Sequence, residues 1–98
     1  GWSGAISVSE DSGLTITSMK QNVGLCLQTG NMARVYADLM KLQTLYLDLA
    51  ITSAAIILPS YPTALLLGSN IAQATRLERE LKIFQKAYTV PTLIFEME

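Results

Sequence analysis

The sequence contains no histidine and one cysteine, Cys26. Without histidine the chain lacks the usual general base, the commonest metal ligand and the imidazole that would activate Cys26, so histidine-based triad chemistry is excluded. A lone cysteine rules out an internal disulfide and an all-cysteine zinc site, and favours a reducing, cytoplasmic compartment. Charge is scarce as well. Only 15% of residues are Asp, Glu, Lys or Arg and the net charge is −1, so any attraction for nucleic acid has to come from a local basic stripe. No basic segment leads into an apolar run at the amino terminus, as a secretory signal would require.

No charged residue lies between Asp48 and Arg76. Pro59, Pro62, Gly68 and several hydroxyl residues interrupt that stretch, whereas a membrane-spanning helix needs about 20 apolar residues without central breaks. The expectation is no membrane partner. Half of the 98 residues are apolar, which suits one small packed domain over residues 1–98 rather than a disordered chain.

Alternation of apolar and polar residues in Ala5 to Glu10 and in Leu14 to Met19, with Asp11-Ser12-Gly13 between them, predicts an opening β-hairpin. Val23 to Gln28 (VGLCLQ) predicts a strand with Gly24, Cys26 and Gln28 on one face. Asn31 is placed to cap a helix from Met32 to about Leu47, whose apolar residues Met32, Val35, Tyr36, Leu39, Leu42 and Tyr46 recur at helical spacing. Ile51 to Leu58 (ITSAAIIL) reads as a central strand covered on both faces. Pro59 to Gly68 reads as a loop by its prolines, with Ala64 to Leu67 too apolar to lie comfortably in water. A second helix, capped by Ser69 or Asn70, carries a stripe of Ile71, Ala74, Leu77, Leu81, Phe84 and Tyr88 and pairs Glu78 with Lys82. Thr92 to Phe95 makes a last strand. The expected architecture is α/β: a mixed sheet of about five strands, an antiparallel start followed by β-α-β-α-β, flanked by two long helices.

Several folds share that order, and the residues from Ile16 onward narrow the choice. The segment ITSMKQNVGLCLQTGN, an amphipathic helix and then LDLAITSAAIIL resemble the active-site region of restriction endonucleases of the BglII and BstYI type, members of the PD-(D/E)XK nuclease superfamily. The resemblance implies a restriction-endonuclease-like core in which an aspartate on one strand, and a glutamate followed two residues later by Glu or Gln on the next, gather magnesium beside a scissile phosphate of double-stranded DNA. Period-two alternation aims the last two side chains into one cleft. On this chain the aspartate position falls at Thr17, the glutamate position at Cys26 and the final position at Gln28, so only Gln28 agrees with the family.

The carboxylates are Glu10, Asp11, Asp38, Asp48, Glu78, Glu80, Glu96 and Glu98, and none occupies either strand of the pattern. Magnesium prefers carboxylates, waters and phosphate oxygens. A hydroxyl, a thiol and an amide do not neutralise it, so no metal and no cofactor is expected here, although magnesium is what the resemblance implies. Glu10 and Asp11, at the hairpin tip, are the acids nearest in sequence that could swing toward the cleft. Cys26 is expected to be an inert, partly buried thiol. Arg76, Arg79, Lys82 and Lys86 recur at spacings of three and four, and with Lys20 and Arg34 beside the cleft they are the candidate nucleic-acid contacts, set against the plainer reading of solvated surface.

Three functions follow as alternatives. The first is a catalytically degenerate restriction-endonuclease-like domain serving as a nonspecific DNA-associated or subunit scaffold. The second is a protein-interaction or homodimerisation module that uses Ala64 to Leu67 and helix faces. The third is a magnesium-dependent DNA endonuclease inactivated by mutation or completed by another chain. The expected partners are double-stranded DNA and a second copy or other subunit.

Overall fold

The computed structural model describes residues 1–8, 13–68 and 71–97. The opening strands β1 (Ile6–Ser7) and β2 (Thr15–Ile16) pair antiparallel, Ile6 opposite Ile16, as a two-stranded sheet. The tip with Glu10 and Asp11 lies outside the described residues. The chain then bends at Thr17 and changes sheets. Strand β3 (Ser18–Lys20) pairs antiparallel with β4 (Val23–Leu27), around a two-residue turn in which Gln21 and Asn22 have φ of 48° and 66°. Two consecutive positive φ values are the geometry of the tight hairpin turn that asparagine tolerates well. The expected single strand from Leu14 to Met19 is thus two short strands in two sheets.

Helix α1 (Met32–Leu47) runs as its spacing predicts, and the Asn31 side chain accepts from the Arg34 backbone N–H at 3.1 Å as its cap. Its other end closes with the Ala50 N–H on the Leu45 carbonyl at 2.9 Å, which places Leu49 at φ 63°, a position where glycine is usual. Strand β5 (Ser53–Pro59) lies between β4 and β6 (Thr92–Met97), parallel to both, so the mixed sheet has four strands in the order β3-β4-β5-β6. Together with the β1–β2 pair this is the α/β architecture the sequence suggests, with one strand fewer in the main sheet.

Two elements depart from expectation. Residues Tyr61–Leu67 form a short helix, α2, rather than a loop. Pro62 stands in the first turn, where a missing N–H costs nothing, and Pro59 ends β5 before the helix begins. Helix α3 (Ala74–Ile83) is shorter than its apolar stripe implied: Phe84 is its C-cap and Lys86 lies in the turns beyond. Ala74 and Leu77 are buried, whereas Phe84 is 46% exposed. The expected caps Ser69 and Asn70 lie outside the described residues, and Gln73 occupies the N-cap position.

Successive right-handed crossovers that step the same way across a sheet leave their helices on one face. The core agrees. Cys26, Ala54, Ile56 and Leu58 of the sheet share one cluster with Val35, Leu39 and Leu42 of α1 and Leu77 of α3. Burial of these side chains stabilises the fold by roughly 1.5–3 kcal/mol each. Gly24 is required at its place, since a Cβ there would stand 3.0 Å from Leu42 Cδ2 and 3.2 Å from Ile51 Cδ1. The opposite face, carrying Leu25, Leu27, Ile57, Leu93 and Phe95 in register, is open, with Leu93 67% and Phe95 49% exposed. The exposure on this face belongs to the flanking strands; β5 itself stays buried or half-buried there, Ala55 being 7% exposed.

Candidate functional site

Thr17, Cys26 and Gln28 lie along the second half of β4 and just beside or beyond it, toward the end of a parallel strand where open α/β sheets place their sites. Thr17, exposed at the bend between β2 and β3, uses its hydroxyl oxygen to accept the Leu27 N–H at 3.0 Å, while its own N–H donates to the Leu25 carbonyl at 3.0 Å. Both groups serve to hold the bent strand against β4. Cys26 points the other way, into the core, and is 1% exposed. Burial, and then the Asp38 carboxylate, push its thiol up to about 12, against weaker opposing effects of a backbone hydrogen bond at Thr17 and of Lys41. A protonated, enclosed thiol is neither nucleophile nor hard-metal ligand. The expected inert cysteine is here fully rather than partly buried.

Gln28 is half-buried and committed at both ends. Its Nε2 donates to Asp38 Oδ2 at 2.9 Å, and its Oε1 accepts the Gly30 N–H at 2.9 Å. Sequence spacing did not place Asp38 here. It comes from α1, where its position three after Val35 and four before Leu42 puts it on the buried stripe, and it is 7% exposed. A carboxylate on the apolar face of an amphipathic helix was the signal that could have found it, because so deep a charge needs partners. It has two, Gln28 and the Lys41 ammonium at 3.6 Å. The loop that follows the site is tied down by the Ala72 N–H on the Gly30 carbonyl at 2.9 Å.

The site is thus a closed polar knot rather than an open cleft. Among the described residues no three of His, Cys, Asp and Glu gather where they could hold a metal. The donor set does not fit magnesium: the Thr17 oxygen and the Gln28 Oε1 already accept backbone hydrogen bonds, the Cys26 thiol keeps its proton, and Asp38 is bound by an amide and an ammonium.

A family model described as restriction endonuclease BglII/BglIII matches residues 3–97. The chain belongs to this family. No curated protein sequence matches the chain. Within this family framework the basic residues fall into separate groups. Arg34 flanks the site, its Cδ standing 2.7 Å from where a Cβ on Gly30 would be. Lys20 does not: it pairs with Val23 at the start of β4, and Gln28 lies past the other end of that strand, roughly 16 Å away at the usual rise per residue. On α3, Arg76 is bound to Glu80 at 3.2 Å, and Glu80 also accepts the Tyr36 hydroxyl at 2.5 Å, so Arg76 is drawn out of the expected stripe. The i,i+4 ion pair found on α3 among the described residues is this one, at positions other than the expected Glu78 and Lys82. Arg79, Lys82 and Lys86 remain exposed on α3 and the turns after it. No helix among the described residues is long and apolar enough to cross a membrane.

Proposed function

We propose that this restriction-endonuclease-like domain is catalytically degenerate and acts as a DNA-associated scaffold. The observation that carries the reading is the state of the two positions that should face magnesium. At one, a buried thiol is held protonated; at the other, the Gln28 amide is closed onto Asp38 and Gly30. Hydrolysis of a phosphodiester at useful rates needs charge neutralised at the phosphate and a water activated for attack, and in this family magnesium supplies both. Among the described residues Asp38 is the carboxylate that reaches the site, and it is already bound to Gln28 and Lys41.

What remains for DNA is electrostatic contact through Arg34, Arg79, Lys82 and Lys86, with Lys20 a separate point on the far end of β4. Such contacts position a duplex without reading its sequence, and their affinity falls steeply with salt. The test is incubation of the chain with supercoiled plasmid and magnesium, alongside titration of short duplexes at several salt concentrations. The reading requires intact plasmid and salt-sensitive binding that weakens in an Arg79→Ala/Lys82→Ala/Lys86→Ala variant. Magnesium-dependent cleavage that disappears in Gln28→Ala would overturn it.

A further inference from the structure

The main sheet ends in two outer strands, β3 and β6, and the chain treats them differently. Along β3 the amino-terminal segment takes the place of a neighbour. The Ser3 N–H donates to the Met19 carbonyl at 3.0 Å, and the Met19 N–H donates to the Ser3 hydroxyl oxygen at 3.0 Å. The Ser18 hydroxyl adds a bond to the Ser3 carbonyl. Both backbone groups of Met19 are thereby satisfied.

Along β6 no such cover is found among the described residues. The direction of its backbone groups follows from two bonds at its ends. The Ala54 N–H donates to the Pro91 carbonyl at 2.8 Å and the Ser60 N–H to the Met97 carbonyl at 3.0 Å, so Pro91, Leu93, Phe95 and Met97 turn toward β5. Alternation then sends the N–H and carbonyl groups of Thr92, Ile94 and Glu96 outward. None of them has a hydrogen-bond partner among the described residues. They repeat every 6.6 Å or so, about two residues at the usual rise, and offer donors and acceptors in turn. A helix has spent its own backbone groups internally. A phosphate backbone brings acceptors and leaves the three carbonyls unmet. An extended peptide satisfies the whole row.

We propose that the outer side of β6 receives an extended segment of a different protein, which joins the sheet as a fifth strand and alternates apolar with basic residues. The side chains of β6 set that alternation. Leu93 and Phe95 stand on the open face, 67% and 49% exposed, and call for apolar neighbours across the pair. Glu96 is exposed on the other face and has no ion pair among the described residues, so a lysine or arginine beside it completes the charge. Period two keeps the two kinds of residue on opposite sides of one segment. The backbone ladder supplies the affinity and these positions the preference.

The probe is a labelled eight-residue peptide of alternating valine and lysine, titrated with the chain and followed by fluorescence anisotropy. No DNA is present, so the outcome is independent of the scaffold reading above. Binding should saturate, weaken as salt rises, and slow hydrogen exchange at the Ile94 and Glu96 amides. The fully N-methylated peptide, which cannot donate, should not bind, and a valine–glutamate counterpart should bind more weakly. Glu96→Pro removes one outward N–H and no bond inside the chain, so it should weaken binding about three- to tenfold with an unchanged circular-dichroism spectrum. Leu66→Glu on α2, where Leu66 is 88% exposed, should leave binding as it was. Absence of saturable binding, an N-methylated peptide that binds as well as its parent, or exchange that slows elsewhere than in β6 would each overturn the proposal. So would β6 amides that are protected before any peptide is added, because copies of the chain already pair there.

Discussion

Replacing Cys26 with glutamate puts back the acid that the family pattern places there, and the structure gives the size of the penalty. The thiol at this position is raised from 9.0 to about 12 by burial and by the Asp38 carboxylate. Three factors of ten in proton affinity correspond to about 4 kcal/mol against a negative charge at that point. Glutamate also brings bulk, so the comparison is with Cys26→Gln, which has the same shape and no charge. A carboxyl raised in the folded state stays protonated there while the unfolded chain has released its proton, so stability falls as pH rises. The two variants should unfold at the same urea concentration near pH 4, and Cys26→Glu should be weaker by about 4 kcal/mol near pH 8. That is a large part of the 5–15 kcal/mol a domain usually has. Equal stability of the two variants from pH 4 to pH 8 would refute the reasoning, because it would mean that position 26 is neither desolvated nor repelled by Asp38.

Other outcomes follow from single contacts. In the native chain Cys26 should resist thiol reagents that react at once after denaturation. Because the unfolded thiol ionises near 9.0 and the folded one only near 12, stability should decline through that alkaline range in wild type and less so in Cys26→Ala. Asp38→Ala leaves the Gln28 amide and the Lys41 ammonium without their partner and should cost about 1–3 kcal/mol in chemical denaturation. Leu49→Gly removes the strain of a left-handed leucine that is 90% exposed and should raise the melting temperature, a gain of about 1 kcal/mol. Thr17→Asp together with Cys26→Glu should leave the melting temperature unresponsive to magnesium, because residue 26 faces the core and residue 17 the solvent; a magnesium-dependent melting shift absent from wild type would refute this.

Most of the fold was legible because its elements obey one period each. Helix α1 has a clear apolar stripe and a real cap, and β5 is a β-branched run stopped by Pro59, so both stand where the pattern puts them. Local chemistry misled at Pro59 to Gly68, where a proline was read as a breaker although the first helical turn accepts it. At the end of α3 the pattern was right and the packing was not: Phe84 continues the apolar spacing, yet it sits beyond the last helical turn, edge-on to Tyr36 with ring centroids 6.1 Å apart. Strand sheet membership was invisible because nothing in Thr17 itself announces a bend; that is fixed by hydrogen bonds to Leu25 and Leu27 from another strand. The site was half legible. Period two put Cys26 and Gln28 on one face, but their real neighbour, Asp38, arrives from a helix through tertiary packing.

The one-sided cover of the sheet bears on how the chain behaves in concentrated solution. Among the described residues strand β6 is an edge of the main sheet, and its sequence TLIFEM exposes Leu93 and Phe95 with Glu96 as the strand's single charge. A short, apolar, β-prone edge is a template on which further strands can add, and charge at such an edge is what natural proteins use to prevent it. Pairing of β6 with β6 of a second copy would close as a dimer, whereas pairing of β6 with the β3 edge of another copy would propagate. A lysine in place of Leu93 would blunt that edge while leaving every buried side chain of the core untouched.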